Sequence, residues 1–202
     1  MIAVIDYDAG NIKSVQKALD FLGERAVVTR DKSEILAAER VILPGVGSFG
    51  DAMAKLESFG LVSVIKEVAE RKTPFLGICL GLQLLFEESE ESPGVEGLGI
   101  LPGRIVRIPK EEGLKIPQIG WNALKYPMEG RLLQNVPEGS YVYFVHSYYL
   151  QAQEKEIVNA TVEYGVTVEA SVEKDNIFAC QFHPEKSSEV GLQILKNFLS
   201  VW

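Results

Sequence analysis

A cysteine between two glycines is the side chain of this sequence best placed to act as a nucleophile. Cys79 lies in the segment FLGICLGLQLLF, with Gly77 before it and Gly81 after it. Glycines at these positions permit the sharp strand-to-helix turn that exposes a nucleophile, as in the pattern G-x-S-x-G with cysteine in place of serine. The first turn of a helix also favours the thiolate, the reactive form of cysteine. We therefore predict a nucleophilic Cys79, with a small buried apolar residue as the alternative.

A base for this thiol must come from one of the 2 histidines. His183 precedes Pro184, which favours extended backbone at the histidine. In an extended segment Glu185 would project to the same side as the imidazole, where its carboxylate would hold one ring nitrogen while the other takes the thiol proton. A surface His-Pro-Glu turn is the alternative. His146 has no carboxylate two residues away, and we predict that it packs in the core or lines a substrate pocket.

Main-chain N–H groups that could stabilise an oxyanion are predicted at two places. The N–H of Leu80 directly follows the nucleophile. In LPGVGSFG, Gly45 and Gly47 flank Val46 just after a strand and leave N–H groups free to approach a ligand. A phosphate-binding loop is the rival interpretation, but the segment lacks the Lys-Ser/Thr ending of a P-loop and the GxGxxG spacing.

The second cysteine serves as a comparison. Cys180 shares one face of a strand with Phe178 and Phe182, so we predict that it fills the core. A metal site formed by Cys180 and His183 is not expected, because the two side chains would point to opposite faces and no further ligand pair has suitable spacing. No cofactor is expected.

Alternating strands and helices in the first half of the chain must position these side chains. Apolar runs that end in turns predict strands, and apolar residues three and four apart predict helices. The predicted strands are residues 2–7, 25–30, 40–45 and 74–78, and the predicted helices are residues 12–22, 51–57, 61–71 and 81–88. This alternation predicts an α/β fold with a mostly parallel central sheet and helices on both faces.

Short, closely spaced strand patterns dominate the second half. They predict hairpins and an antiparallel extension of the sheet. The candidates are GRIVRIP, GWNALKY, SYVYFVHSYYL, EIVNATVEY, VTVEASVEK and NIFACQFH. A last helix is predicted over residues 188–199, with Ser187 or Ser188 as its N-terminal cap.

Composition limits the class of protein. The length of 202 residues predicts one domain, residues 1–202. The net charge of -8 argues against nucleic acid or an anionic membrane as a partner. No apolar stretch is long enough to span a membrane, the N-terminus does not resemble a signal peptide, and 2 cysteines do not make a disulfide framework, so we expect a cytoplasmic protein.

Together these segments resemble the class I, or triad, glutamine amidotransferase family. The elbow GICLGLQLLF and the segment FHPE match its catalytic signature, and other matching segments follow in order along almost the whole chain. Those segments are DYDAGNIKSV, LPGVGSFGDAM, LLFEESEESPGVEGLG, IPQIGWN, YFVHSYY and QFHPEKSS. The resemblance implies a flavodoxin-like α/β fold without a large insertion.

The resemblance also implies roles for individual residues. Cys79 would be the nucleophile, His183 the general base and acid, and Glu185 the residue that orients the histidine. The oxyanion N–H groups would come from Leu80, Gly45, Val46 and Gly47. The amino-acid end of L-glutamine would be held by Gln83, Glu91, Ser147 and Tyr148.

A partner is implied as well. Ammonia released from glutamine must not escape to water, and the finer features resemble family members whose partner is a (β/α)8-barrel cyclase on a separate chain. The matching interface positions are Asn11, Pro117, Trp121, Asn122 and Lys186, although Trp121 has a core position as its alternative. The resemblance further implies little glutaminase activity until the cyclase binds its ligand, with Val46 as the suspected switch.

Three alternatives stay open on the sequence. Another free-standing glutaminase of this class would serve pyridoxal phosphate, anthranilate or aminodeoxychorismate synthesis with the same chemistry. A cysteine peptidase or chaperone-like protein of the same superfold is disfavoured by Glu185 following His183 at two residues. A non-catalytic binding module would merely retain a buried cysteine.

Overall fold

The computed structural model describes residues 1–201 of the chain. Its strands are β1 Ile2–Ile5, β2 Ala26–Thr29, β3 Arg40–Leu43, β4 Phe75–Ile78, β5 Glu88–Ser89, β6 Gly103–Arg107, β7 Gln118–Ala123, β8 Tyr141–His146, β9 Tyr148–Ala152, β10 Val158–Tyr164, β11 Val166–Lys174 and β12 Ile177–Cys180. Its α-helices are α1 Ile12–Phe21, α2 Lys32–Ala37, α3 Phe49–Ser58, α4 Leu61–Glu70, α5 Leu80–Leu84 and α6 Ser188–Ser200. Short 3-10 turns lie at Arg131–Leu133, Lys155–Ile157 and Pro184–Lys186.

One large sheet organises the molecule. Its strand order is β2-β1-β3-β4-β12-β11-β9-β6-β5, and β10 also pairs with β11. The five strands from β2 to β12 run parallel, whereas β11 is antiparallel to β12 and β9, and β9 is antiparallel to β6. The predicted parallel centre with an antiparallel extension is confirmed. Strands β7 and β8 form a separate antiparallel ribbon.

Helices cover both faces of this sheet. Along β1, Ala3 and Ile5 join one buried cluster with α2, α3, α4 and α5, while Ile2 and Val4 join the opposite cluster with α1 and α6. Successive residues of a strand point to opposite faces, so a strand buried on both faces is apolar throughout. The sequence IAVI of β1 is apolar throughout for this reason.

The structure corrects two predicted elements near the site. The helix predicted over residues 81–88 ends at Leu84, because Glu88 and Ser89 leave it to pair with β6. The single strand predicted in SYVYFVHSYYL is broken at Ser147, since β8 pairs with β7 and β9 pairs with β6 and β11. The alternation of apolar residues indicates that a segment forms a strand, but it does not indicate which strand it pairs with. Long-range contacts decide the pairing.

Two helix starts also differ from expectation. Helix α2 was not predicted, although Asp31 accepts hydrogen bonds from the N–H groups of Ser33 (2.8 Å) and Glu34 (3.0 Å), as a typical N-cap does. Ser187 precedes α6 but does not cap it through its side chain. Its hydroxyl instead donates to the carbonyl of His183 (2.6 Å) and accepts from the N–H of Tyr143 (3.0 Å), so it anchors the histidine segment to β8.

Candidate active site

Cys79 occupies the turn between β4 and α5 in a strained backbone conformation, with φ 55° and ψ −107°. Its N–H donates to the carbonyl of Cys180 at 2.8 Å, which ties the turn to β12. A Cβ on Gly81 would lie 1.9 Å from the carbonyl oxygen of Leu43, and a Cβ on Gly77 would lie 2.6 Å from that of Gly81. The two glycines are therefore required by close backbone packing, as the elbow interpretation predicts.

His183 and Glu185 form a buried pair at the end of β12. The Nδ1 of His183 lies 2.6 Å from Oε1 of Glu185, and the two side chains are 1% and 0% exposed. A carboxylate can only accept here, so Nδ1 carries a proton and Nε2 is left to face the thiol. The contact was predicted, but the extended backbone proposed for it is wrong: His183 is extended, whereas Pro184–Lys186 form a 3-10 turn that brings the carboxylate back to the ring.

The charge state of His183 reflects Cys79 and Glu185. Burial by itself lowers the pKa of an imidazole, but the hydrogen bonding and charge of Cys79 and Glu185 outweigh it and raise the pKa of His183 to about 10. Nε2 of His183 is buried and makes no hydrogen bond within residues 1–201, so it is free to exchange a proton with the nearby thiol. The structure thus brings Cys79, His183 and Glu185 together in the order that proton transfer from a thiol needs.

Asn11 touches this pair directly. Its Nδ2 lies 2.5 Å from Oε1 of Glu185 and 3.4 Å from Nδ1 of His183. Asn11 has φ 71°, a left-handed conformation that asparagine tolerates, and it precedes α1. The sequence predicts Asn11 only as an interface residue, because no local pattern indicates its contact with residues more than 170 positions away.

A cavity of about 270 Å³ opens over Cys79. Its walls contain residues of five segments: Val46, Gly47, Cys79, Leu80, Gln83, Glu91, Pro117, Val145, His146, Ser147 and Tyr148. Every predicted glutamine-binding residue therefore lines one cavity. Larger clefts of about 610 and 560 Å³ elsewhere on the surface include neither a cysteine nor a histidine.

The predicted oxyanion groups are close together but are not all open to a ligand. The N–H of Leu80 lies 3.4 Å from the carbonyl oxygen of Gly45 and donates weakly to it. Val46 is 38% exposed, and Gly47 has φ 107°, which favours glycine. In this conformation the Gly45 carbonyl points at the amide that an oxyanion would need.

The polar groups of the cavity have well-defined partners. Nε2 of Gln83 donates to the carbonyl of Tyr148 (3.1 Å) and to Oε1 of Gln181 (3.0 Å). Oε2 of Glu91 accepts from the N–H of Phe49 (2.8 Å), at the start of α3. Ser147, which separates strands β8 and β9, and Tyr148, the first residue of β9, line the same cavity.

His146 lines the cavity as expected and is a buried, neutral imidazole. Its Nδ1 lies 2.8 Å from the carbonyl of Tyr148 and its Nε2 2.8 Å from Gln118. Burial lowers the pKa of His146 to about 4, and the charge of His183 adds to the effect. The second cysteine also lies where predicted: Cys180 is fully buried in one cluster with Phe178 and Phe182.

The residues matched to an interface are all at least partly accessible to solvent. Pro117, Trp121 and Lys186 are exposed, Asn11 and Asn122 are partly buried, and Pro117 also lines the cavity. The alternative of a core position for Trp121 is wrong, since the side chain is 50% exposed on β7, edge-on to Tyr143 of β8.

Two buried side chains next to Cys79 were missed by the sequence analysis. Tyr7 donates to the carbonyl of Pro44 (2.7 Å), and burial together with the nearby charge of Cys79 raises its pKa well above the usual range. Gln181 is fully buried with its Nε2 3.6 Å from Sγ of Cys79. The alternation of strand residues could have indicated Gln181, because it lies two positions before His183 and so on the same side.

Two features are absent among the described residues. No group of three or more His, Cys, Asp or Glu side chains within residues 1–201 could hold a metal ion. None of the helices in the same range is both long and apolar enough to span a membrane.

Comparison with known proteins gives matches over the whole length. The class-I glutamine amidotransferase family matches residues 3–202. The imidazole glycerol phosphate synthase subunit HisH of Moorella thermoacetica is 56% identical over 197 residues, which cover 98% of this chain and 93% of that protein. The protein of the same name from Caldanaerobacter subterraneus is 52% identical, with 98% and 97% covered.

A solved structure shows the same fold. PurLQS from Thermotoga maritima superposes with a TM-score of 0.74 at 23% identity, covering 98% of this chain and 96% of that one. The flavodoxin-like α/β fold predicted from the sequence is confirmed. With this fold, a buried cysteine–histidine–glutamate constellation and a family match over nearly every residue, the chain belongs to the class I glutamine amidotransferase family.

Proposed function

We propose that this chain is the glutaminase subunit of an imidazole glycerol phosphate synthase. It hydrolyses L-glutamine to glutamate and ammonia, and the ammonia passes to a cyclase subunit. The observation that carries the chemistry is the cavity over Cys79 with the buried His183–Glu185 pair behind it. The full-length identity of 56% to a HisH protein supports this acceptor over pyridoxal phosphate, anthranilate or aminodeoxychorismate synthesis.

Catalysis begins with the Cys79 thiolate and the His183 imidazolium. The sulfur attacks the side-chain amide carbon of glutamine, and the carbonyl oxygen becomes an oxyanion. His183 gives its Nε2 proton to the leaving nitrogen, ammonia departs, and a thioester to Cys79 remains. His183 then takes a proton from water, the hydroxide attacks the thioester, and glutamate leaves as the sulfur becomes a thiolate again. Glu185 keeps Nδ1 protonated throughout.

Glutamine is oriented by groups that surround the cavity. Gln83, Glu91 and the main chain at Ser147 and Tyr148 are proposed to hold its amino-acid end, since all line the cavity and carry polar groups. The oxyanion would be bound by the N–H of Leu80 and by N–H groups of the segment Gly45–Val46–Gly47.

The oxyanion segment also supports the proposed activation by the partner. The carbonyl of Gly45 and the N–H of Val46 belong to one peptide unit. Rotation of that unit would remove the carbonyl oxygen from the Leu80 N–H, 3.4 Å away, and present the Val46 N–H in its place. Glycines on either side of Val46 permit such a rotation. The isolated chain is therefore expected to have little glutaminase activity.

The proposed partner is a (β/α)8-barrel cyclase subunit, HisF, on a separate chain. It would use the ammonia on a phosphoribulosyl-formimino aminoimidazole carboxamide ribotide to form imidazole glycerol phosphate and an aminoimidazole carboxamide ribotide. The exposed Trp121, Pro117 and Lys186, together with Asn11 and Asn122, are proposed to form the interface. A cyclase docked there would cover the mouth of the cavity and keep ammonia from bulk water.

A glutaminase assay tests the proposal. We expect glutamate release only when the chain, the cyclase and a ribotide ligand are all present, and loss of that activity in Cys79→Ala. Cys180→Ala is the matched control, since it removes the other buried thiol and should remain active. Full activity of the isolated chain would contradict the activation mechanism, and full activity of Cys79→Ala would contradict the proposed chemistry.

Two further proposals concern the whole chain. The family match to residues 3–202 supports one domain over residues 1–202. Both cysteines are unpaired and buried, which is usual for a protein of a reducing compartment, and we propose a cytoplasmic location.

A further inference from the structure

Gln181 lies behind the nucleophile, outside the cavity. It follows β12, whose Cys180 is in register with Ile78 of β4, so Gln181 and Cys79 are the next residues along two adjacent parallel strands. The side chain is 0% exposed, and its Nε2 is 3.6 Å from Sγ of Cys79. Sulfur is larger than oxygen, so this separation suits an N–H donor pointing at a sulfur atom.

The orientation of this amide is fixed by a chain of hydrogen bonds that starts at a main-chain carbonyl. The carbonyl oxygen of Tyr148 can only accept, so the group of Gln83 that faces it at 3.1 Å must be the NH2 group. The same NH2 group lies 3.0 Å from Gln181, which must therefore present its oxygen to Gln83. The NH2 group of Gln181 is then left to face Sγ.

A donor at this place suits an anion better than a thiol. Neutral sulfur is a weak acceptor, whereas a hydrogen bond to a charged acceptor is about twice as strong as a neutral one. In the proposed reaction the sulfur is an anion twice, before it attacks glutamine and when the thioester breaks down. His183 gives its proton away between these steps, but the amide of Gln181 cannot, so it remains a donor to sulfur throughout.

We propose that Gln181 is a further catalytic residue, which stabilises the Cys79 thiolate through an N–H···S hydrogen bond oriented by the relay Tyr148–Gln83–Gln181. The proposal rests on the glutaminase function proposed above. It assigns Gln83 a second role besides contact with substrate, since Gln83 also fixes the direction of the Gln181 amide.

The test is the pH dependence of Cys79 alkylation by iodoacetamide, followed by peptide mapping that separates Cys79 from Cys180. The reagent contains no glutamine, so the measurement does not depend on substrate binding or turnover. Gln181→Met keeps an unbranched side chain of similar length and removes the amide. Gln193→Met is the matched control, because that amide donates to Asn197 on the same helix α6 and Gln193 does not line the cavity over Cys79.

For Gln181→Met we expect the midpoint of the alkylation profile to move up by about one pH unit. A shift of this size corresponds to the free energy of one hydrogen bond to a charged group. Gln83→Met should shift it in the same direction by less, because Gln181 loses its fixed orientation. Gln193→Met should match the wild type. If Gln181→Met does not fold, as judged by its thermal unfolding, the Gln83→Met profile carries the test.

Two results would overturn the inference, and they are distinguishable from failure of the proposed function. A wild-type profile retained in both Gln181→Met and Gln83→Met would show that the amide does not stabilise the thiolate. A raised KM for glutamine in the cyclase complex with an unchanged alkylation profile would show that Gln181 only supports Gln83 in binding. If wild-type Cys79 were no more reactive than Cys180, the nucleophile assignment itself would fail.

Discussion

At the scale of single residues, the two histidines show how far surroundings control an imidazole. Both start from the same ordinary pKa of about 6.5. Burial without a charged partner lowers the pKa of His146 to about 4, whereas Cys79 and Glu185 overcome burial and raise that of His183 to about 10. Only His183 therefore carries a proton that it can deliver near neutral pH.

A titration of the two imidazoles by NMR tests this contrast. We expect no histidine midpoint between pH 5 and about 9, one midpoint near 4 for His146 and one near 10 for His183. In Cys79→Ala the midpoint of His183 should fall, because the charge that favours the imidazolium is removed. A midpoint near 6.5 for His183 in the wild type would contradict the described pairing.

The same pKa values fix the sign of the pH dependence of stability. The raised pKa of His183 stabilises the fold fully below about pH 6.5, and this contribution is lost as the pH rises through about 10. The lowered pKa of His146 acts at the other end: its contribution is lost as the pH falls from about 6.5 to about 4. Urea unfolding across pH 4 to 10 should therefore show reduced stability at both extremes.

Asn11 offers a prediction about the carboxylate of Glu185, the proposed orienting residue. Asn11→Ala removes the donor 2.5 Å from Oε1 of Glu185 and leaves the carboxylate held by His183. We expect kcat for glutamine in the cyclase complex to fall about tenfold or more, from the loss of a hydrogen bond to a charged group. Because kcat is measured at a saturating concentration of cyclase, weaker binding of the cyclase would not account for the fall.

Asn122→Ala is the control for Asn11→Ala. Asn122 is also proposed for the interface, but its Nδ2 donates to the carbonyl of Glu163 at 3.0 Å and does not contact the triad. It should change the affinity for the cyclase without changing kcat at saturation. Equal losses of kcat in the two variants would indicate that Asn11 acts through docking alone.

At the scale of elements, the junction of β4 and α5 holds Cys79, the proposed nucleophile, through backbone contacts. Gly81→Ala would place a Cβ 1.9 Å from the carbonyl oxygen of Leu43, so the helix and β3 must separate. We expect a loss of about 3 kcal/mol or more in the free energy of unfolding, at the upper end for overpacking. Chemical denaturation measures it.

Gly94→Ala is a suitable comparison for Gly81→Ala. Gly94 has φ 83° but nothing within 4 Å of its added Cβ, so only backbone strain of about 1 kcal/mol is expected. If Gly81→Ala cost no more than Gly94→Ala, close packing at the elbow would not be the reason for its glycine.

At the scale of the whole molecule, the site collects residues that are distant in sequence at one edge of the sheet. Strands β1, β3, β4 and β12 are neighbours and run parallel. The loops after their carboxyl ends supply Asn11, Val46, Cys79 and His183 respectively. Ligand sites of open α/β sheets form at this edge.

The ribbon of β7 and β8 extends this edge with an exposed aromatic surface. Trp121→Ala should leave the free energy of unfolding nearly unchanged, because the side chain is 50% exposed. If Trp121 is a main anchor of the proposed interface, its loss should weaken cyclase binding by roughly thirtyfold. Phe21→Ala is the control, because Phe21 is 77% exposed at the C-terminal end of α1 and its substitution should not affect binding. Calorimetry measures the affinity for the cyclase in both variants.

Local sequence patterns were enough to predict part of the fold and of the site. Glycines around Cys79 predicted the elbow, the alternation of strands and helices predicted the parallel sheet, and FHPE identified the histidine–glutamate pair. The break at Ser147, the end of α5 at Leu84 and the 3-10 turn at Glu185 were not predictable in this way, because strand pairing and packing with distant segments decide them.

The sequence by itself determined which residue types can do chemistry and which periodic segments carry them, since propensity and hydrophobic spacing are local properties. Only the tertiary structure decided that Asn11 contacts Glu185, that Gln181 faces Cys79, and that the Gly45 carbonyl accepts a hydrogen bond from the Leu80 N–H. These contacts depend on the order and register of strands from opposite ends of the chain, and no local pattern encodes the distance between two such strands.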